Sequence, residues 1–313
     1  MIKSLTKRID TKWIKIAWLA WTWVLPVIIL SAVLFKLIST PGKLHLFIGV
    51  EGVDWIWLLI CMALLPMNIG LEAYKWKAIL KPIQAKSIWN SAKIILSGRS
   101  LNVISPFGIG DIFAKYMGTT PAQRKQTVGG VIIDRFSQLV PTLTMGVVSV
   151  IYLIDKGFSI PLEPLLLAAG IAGALVALTL ALVWIYREKI KGYVLLVGSG
   201  SPLSFFHIFG SAFLRYGVFT LQFLCVFWWL GSELPMAVLI LGIGWIFLIK
   251  TVVPNMSVLG DLVKRELSAA LFFSFFTDDL GAVMLASFVV WIVNIVMPAV
   301  AGLGFVSEMK KTF

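Results

Sequence analysis

The sequence predicts an all-α fold, a polytopic bundle of transmembrane helices that forms a single integral membrane domain over residues 1–313. Of these residues, 59% are hydrophobic and only 13% are charged. A soluble domain carries about 45–50% apolar and about 25% charged residues, so this chain has more apolar surface than a soluble core can bury. Apolar runs of about 20 residues, the length at which a helix crosses a bilayer, recur along the chain.

The order of these runs predicts about 7–9 spans. Firm spans are expected near residues 16–38, 53–73, 163–186, 206–230, 235–253 and 280–304, and a seventh near 128–154 has charges close to its start. Two mixed segments, near 88–118 and 254–277, are too polar for a lipid-facing helix and too apolar for a loop. Each contains a proline, Pro106 or Pro254, which breaks a helix. We therefore expect two broken or re-entrant helices, because irregular backbone survives at membrane depth only inside protein or beside a wet cavity.

The two mixed segments also resemble each other in sequence. Residues 109–115 read Ile-Gly-Asp-Ile-Phe followed by a lysine at the seventh position, and residues 259–265 read Leu-Gly-Asp-Leu-Val followed by an arginine there. Transporter folds often repeat a broken helix in each half, which makes an internal repeat one interpretation. Matches this short also arise by chance, and both interpretations stay open at this point.

The distribution of basic residues predicts the orientation of the chain. The formal net charge is +12, but lysines and arginines gather in short segments between apolar runs. This pattern is typical of the positive-inside rule and of anionic lipid headgroups, and it argues against nucleic acid as a partner. The amino terminus, residues 75–86, residues 187–191 and the carboxyl-terminal tail are basic, whereas the loops near 39–52, 155–162 and 231–234 are not. We expect both termini in the cytoplasm and residence in a bacterial inner (plasma) membrane.

The sequence carries no signature of metal, cofactor or enzymatic chemistry. The two cysteines and two histidines lack companion ligands, so neither a disulfide framework nor a metal site is expected. Metalloprotease, nucleophile-elbow, P-loop and dinucleotide motifs are missing, and we expect no cofactor and no enzyme. An intramembrane hydrolase that uses Asp111 and Asp261 remains an alternative, since two carboxyl groups can share a proton.

Charged and polar residues inside or beside the spans are the candidates for binding a substrate, because a charge at mid-bilayer costs at least about 2.5–3.5 kcal/mol. The candidates are Arg99, Asn102, Ser105, Pro106, Gly108, Gly110, Asp111, Asp134, Arg135, Arg215, Lys250, Asp261, Arg265 and Glu266. A helix that begins near Asp111 would present free N–H groups to a phosphate. In the plainer interpretation Asp111 only caps that helix, and Asp134 and Arg135 only lock packing. Arg215 is the hardest to explain in this way, because its depth makes snorkelling difficult.

Several of these motifs occur in the order of a known family. Residues 68–76 (Asn-Ile-Gly-Leu-Glu-Ala-Tyr-Lys-Trp), the Asn102-x-x-x-Pro106-x-x-x-Gly110-Asp111 run and the Asp134-Arg135 pair resemble the lysylphosphatidylglycerol synthase transmembrane-region family. Residues 254–266 look like a divergent copy of its second helix break. The resemblance implies a flippase-like membrane unit that handles lipids, without the aminoacyl-transferase domain.

These observations lead to one main hypothesis about function. We expect a lipid flippase-like transporter that binds an anionic, phosphate-bearing headgroup in an intramembrane polar cavity, with membrane lipids as its partners and oligomerisation left open. The alternative is a non-transporting membrane scaffold for envelope-lipid or glycolipid synthesis.

Overall fold

The computed structural model describes residues 54–105, 108–157, 202–253 and 257–310. The spans expected near 16–38 and 163–186 lie outside the described residues, as do Pro106 and Pro254. Within the described ranges the regular structure is helical and contains no strand, which confirms the all-α prediction.

The helices follow the predicted segments closely. They are α1 (Trp55–Leu80), α2 (Ile88–Ile104), α3 (Ile109–Met117), α4 (Arg124–Asp155), α5 (Pro202–Trp229), α6 (Met236–Val252), α7 (Val258–Phe273), α8 (Leu280–Trp291) and α9 (Met297–Lys310). A 3-10 turn at Pro121–Gln123 precedes α4, and a π-helical turn at Ile292–Val296 joins α8 to α9. Stretches long and apolar enough to cross a bilayer are Trp55–Leu80, Pro121–Asp155, Phe205–Trp229 and Leu280–Val306.

Short polar side chains start several of these helices. The side chains of Asp54, Ser87, Ser257 and Asp279 each accept a hydrogen bond from a backbone N–H in the first turn of α1, α2, α7 and α8. Such caps satisfy donors that a helix leaves unpaired at its start. Apolar runs bounded by these residues therefore begin as helices at defined positions.

The first described span is longer than the sequence predicted. Helix α1 continues to Leu80, so Lys75 and Trp76 lie within the helix and are both fully buried. The assignment of Lys75 to a basic loop is therefore wrong, because the lysine is paired inside the protein. The basic residues of this connection that follow the helix are Lys81 and Lys86.

The bundle has two ends of opposite charge. At one end Gln123 Nε2 donates to the Ile83 carbonyl oxygen at 2.7 Å, which brings the α1–α2 connection beside the start of α4. The residues there, which we call the basic end, include Lys81, Lys86, Arg124 and Lys125.

At the opposite end the Trp55 and Trp229 rings are 5.6 Å apart, and Tyr152 stacks on Phe276 at 6.2 Å. This end, the acidic end, includes Asp54, Asp155, Glu233, Asp278 and Asp279. Lys156 is also found there, so this end carries mostly acidic residues and one lysine beside them.

Helices α2 and α3 form a re-entrant hairpin that starts from the basic end. A Cβ atom at Gly110 would lie only 2.5 Å from the Asn102 backbone nitrogen, so the absence of a side chain allows this close crossing. Since Ile83 before the hairpin contacts Gln123 after it, the chain enters and returns at the same end. This confirms the predicted break and defines it as re-entrant.

Helices α6 and α7 form a second hairpin that starts from the acidic end. Lys264 Nζ donates to the carbonyl oxygens of Lys250 at 3.3 Å and Val253 at 2.8 Å, and Gly242 packs on the ring of Phe273. The two hairpins thus enter the bundle from opposite ends. This arrangement is what an inverted repeat would produce, and the internal repeat stays a prediction.

Helix α9 packs closely on α2, and this contact gives a test of the fold. A Cβ atom at Gly302 would overlap the Leu96 carbonyl group, whereas one at Gly304 meets nothing within 4 Å. We expect Gly302→Ala to destabilise the protein by about 1–3 kcal/mol, because the backbones must separate. Gly304→Ala, on the same helix, is the control and should unfold at the wild-type temperature in detergent. Equal unfolding temperatures for Gly302→Ala and the wild type would contradict the close packing.

Candidate functional site

Polar side chains from three spans meet near the middle of the bundle. Arg215 Nε donates to Asn68 Oδ1 at 2.8 Å, and Asn68 Nδ2 donates to Asn294 Oδ1 at 2.8 Å. Asn68 lies midway along α1, Arg215 midway along α5, and Asn294 in the π-helical turn. A continuous line of hydrogen bonds therefore crosses the apolar bundle at mid-height.

Glu72 lies one turn further along α1, and one of its carboxylate oxygens binds two arginine side chains. Arg99 Nη2 lies 2.5 Å and Arg215 Nη2 lies 2.9 Å from Glu72 Oε2, and Lys115 Nζ lies 3.9 Å from Oε1. The Glu72 residue is only 3% exposed. A carboxylate removed from water needs such partners, because an unpaired buried charge costs several kcal/mol.

Asp134 joins α1, α3 and α4 through two buried lysines. Lys75 Nζ lies 2.8 Å from Oδ1 and Lys115 Nζ lies 2.8 Å from Oδ2, and all three side chains are inaccessible to solvent. Gln138 Nε2 adds longer contacts of 3.4 Å to both oxygens. The carboxylate is thus fully enclosed by donors.

Asp111 connects the re-entrant hairpin to the same ions. Its Oδ2 lies 2.8 Å from Lys115 Nζ and 2.6 Å from Arg135 Nη2, while its Oδ1 is buried without a hydrogen-bond partner among the described residues. The Arg135 side chain is 46% exposed, which makes it the most accessible of these ions.

These ion pairs form one connected group, which we call the charge network. Its members are Glu72, Lys75, Arg99, Asp111, Lys115, Asp134, Arg135 and Arg215. Five are cations and three are carboxylates. The network therefore has an excess of positive charge, and an additional anion would be attracted to it.

The start of α3 differs from the sequence prediction. Gly108, with φ of 69°, is the residue that caps the helix. The N–H groups of Gly110 and Asp111 donate at 2.8 Å to Ser105 Oγ and Asn102 Oδ1. The expectation of free N–H donors there is wrong for these two groups, because the hairpin itself satisfies them. Ser105 and Asn102 hold the hairpin closed.

The remaining candidates lie at the second hairpin. Arg265 Nε pairs with Asp261 Oδ2 at 2.8 Å, and Lys250 and Glu266 lie on α6 and α7. In the part of the chain that the structure describes, no hydrogen bond or ion pair connects these four residues to the charge network. Asp111 and Asp261, the pair that the hydrolase alternative requires, each bind a cation four residues further along their own helix.

A small cleft opens beside the charge network, and its empty space of about 190 Å³ includes open solvent at its mouth. Its polar residues are Asn68, Glu72, Arg99, Arg215 and Asn294, and its apolar residues are Leu65, Ile69, Phe219 and Pro298. The cleft is therefore lined by both polar and apolar side chains, a combination that suits an amphiphile.

Sequence reasoning missed five residues of this site. They are Asn68, Glu72, Lys75, Lys115 and Asn294. The sequence did carry a signal for Asn68, Glu72 and Lys75. They are spaced by four and then three residues, which places their polar side chains on one face of an otherwise apolar helix. Lys115 could have been found from its position four residues after Asp111.

The fold and the site define a helical integral membrane protein that encloses paired charges between its spans and a re-entrant hairpin. The chain belongs to the lysylphosphatidylglycerol synthase TM region family, whose sequence pattern matches residues 23–307. This confirms the resemblance found in the motifs and shows a function related to membrane lipids. No match was found among curated proteins or solved structures.

Asp134 provides a test of the charge network. We expect Asp134→Asn to destabilise the protein by about 3–5 kcal/mol, because it leaves Lys75 and Lys115 buried with one carboxylate fewer. The control is Glu308→Gln, which weakens the partly exposed pair with Lys93 and should cost less than about 1 kcal/mol. Thermal unfolding of both variants in the same detergent distinguishes them. Similar losses of stability in the two variants would show that the buried ion pairs contribute no more than the partly exposed one.

Proposed function

We propose that this protein is a lipid flippase-like transporter of the bacterial inner membrane, and that its cleft binds the anionic, phosphate-bearing headgroup of a membrane lipid. The observation that carries the proposal is the convergence of Arg99 and Arg215 on Glu72 Oε2 at the wall of the cleft. No residue is assigned a catalytic role.

Two converging arginines suit a phosphate for chemical reasons. The guanidinium group is planar, permanently charged and able to donate two parallel hydrogen bonds to phosphate oxygens. In the structure Glu72 supplies the oxygen that both groups bind. A phosphate oxygen that entered the cleft would compete with Glu72 for the same donors, and the positive excess of the network favours this exchange.

The apolar lining of the cleft supports a lipid over a free anion. Leu65, Ile69, Phe219 and Pro298 line the cleft beside the charged residues, and the Phe219 ring lies 5.0 Å from the Arg215 guanidinium carbon. The first carbons of a lipid backbone could contact these side chains while the acyl chains remain in the bilayer. A soluble phosphate compound would gain nothing from that surface.

The two hairpins support a transport role for the site. They enter from opposite ends of the bundle, and transporters with such inverted elements bind their substrates near the midplane and expose them alternately to each side. Arg215 lies at that height, and the rest of the charge network extends from it towards the basic end. We find no nucleotide-binding motif in the sequence, so the proposed energy source is an ion gradient or downhill lipid flow.

Charge segregation supports the proposed orientation. Lys81, Lys86, Arg124 and Lys125 gather at the basic end, which the positive-inside rule assigns to the cytoplasm. Helix α9 runs towards the same end, since Lys93 near the start of α2 pairs with Glu308. We propose that both termini are cytoplasmic.

The proposal predicts that Arg215→Gln lowers lipid transport without unfolding the protein. Losing a charge-assisted hydrogen bond of about 1.5–3 kcal/mol should reduce the rate roughly tenfold to a hundredfold. The assay uses liposomes with a fluorescent phosphatidylglycerol and measures the fraction that becomes accessible to an external quencher. Parallel liposomes with a labelled zwitterionic lipid report the preference for an anionic headgroup.

The matched control is Lys77→Gln, which removes an exposed cation from α1. It should transport lipid at the wild-type rate. Equal rates for Arg215→Gln and the wild type, or no transport by either protein, would overturn the proposed function.

A further inference from the structure

The buried carboxyl group of Glu266 has no role in the mechanism proposed for the cleft. Glu266 on α7 is only 4% exposed and makes no salt bridge among the described residues. Its Oε1 atom is buried without a hydrogen-bond partner there, and so is the hydroxyl oxygen of Ser287 on α8. The two side chains face each other across the α7–α8 contact.

The charged neighbours of Glu266 on its own helix make their ion pair and hydrogen bonds with other groups, although Arg265 Nη1 has no hydrogen-bond partner among the described residues. Arg265, the cation nearest to it in sequence, binds Asp261 at 2.8 Å. Lys264 donates to the carbonyl oxygens at the end of α6. Neither cation forms an ion pair with Glu266.

The other elements packed on α7 supply no ion pair either. Lys250 on α6 and Arg99 on α2 are the cations facing this region, and Arg99 is held by Glu72. Helix α8 contributes Ser287 and contains no titratable side chain. Glu266 therefore differs from Glu72, which is buried to a similar extent but binds two arginines.

This lack of arginine partners determines the protonation state of Glu266. An ionised carboxylate that is buried without a cation or sufficient donors costs far more than a neutral carboxyl, so the group takes up a proton instead. The Ser287 hydroxyl can pair with either form, because it donates to a carboxylate and accepts from a protonated carboxyl, so the lack of an ion pair among the described residues is what favours the proton. A metal ion is a poorer explanation, because no group of three or more His, Cys, Asp or Glu residues that could hold one occurs among the described residues.

We propose that Glu266 is a proton-binding site, with its carboxyl group protonated while α7 is packed on α8 and deprotonated when water enters that contact. Separation of α7 from α8 would then release one proton from Glu266, and renewed packing would take one up. This inference is independent of the lipid proposed for the cleft. It makes the α7–α8 contact sensitive to pH.

Infrared spectroscopy of the full chain in lipid nanodiscs tests the proton directly. At neutral pH the wild type should show the carbonyl band of a protonated carboxyl, and Glu266→Gln should lose it. The control is Glu72→Gln, which should keep the band because Glu72 is held as a carboxylate by Arg99 and Arg215. Ser287→Ala should keep the band but shift its frequency, since the hydrogen bond is removed while the carboxyl remains.

The pH dependence of stability gives a second measurement. A carboxyl that holds its proton only in the folded state binds more protons folded than unfolded, so stability should fall as pH rises above the usual carboxyl range. Glu266→Gln should remove this fall. An identical protonated-carboxyl band in Glu266→Gln and the wild type, or an unshifted band in Ser287→Ala, would overturn the proposal even if the cleft transports lipid.

Discussion

The requirement that buried charges be paired governs this structure. Asp134 is inaccessible to solvent and can remain ionised only because Lys75 and Lys115 reach it from α1 and α3. Meeting that requirement fixes the rotation of α1, the position of the hairpin and the register of α4 together. The apolar surfaces of these helices could pack in many ways, but the ions select one arrangement. This helix arrangement also sets the geometry of the cleft.

The re-entrant hairpin is built from weaker but more local interactions. Gly110 permits the crossing of α2 and α3, and Ser105 and Asn102 bind the backbone donors that the break exposes. A break in a membrane helix is tolerated when such side chains satisfy the freed groups. The hairpin can therefore present Asp111 and Arg99 to the bundle with the N–H groups of Gly110 and Asp111 both paired.

Sequence reasoning located the helices and the breaks but few of the partners. Long apolar runs and two prolines were sufficient for the all-α bundle, because both effects are local. The Glu72–Arg99–Arg215 contact joins three helices, and no spacing rule links residues so distant in sequence. Lys75 was misassigned because a lysine near the end of an apolar run looks the same whether it reaches headgroups or a buried carboxylate. Whether two N–H groups are free depends on Ser105 and Asn102, whose orientation sequence alone does not give.

The π-helical turn at Ile292–Val296 has a mechanical consequence. Beyond it, α9 is fastened to α2 by the Gly302 contact with Leu96 and by the Ser100 hydroxyl, which donates to the Ala299 carbonyl oxygen. A π turn interrupts the regular helical ladder and is a favoured place for bending. Because α9 and α2 are joined in this way, bending at the turn would move the first hairpin together with α9. The Lys115–Asp134 and Arg135–Asp111 pairs hold the hairpin on α4 and oppose that movement, so the paired charges also stiffen this irregular turn.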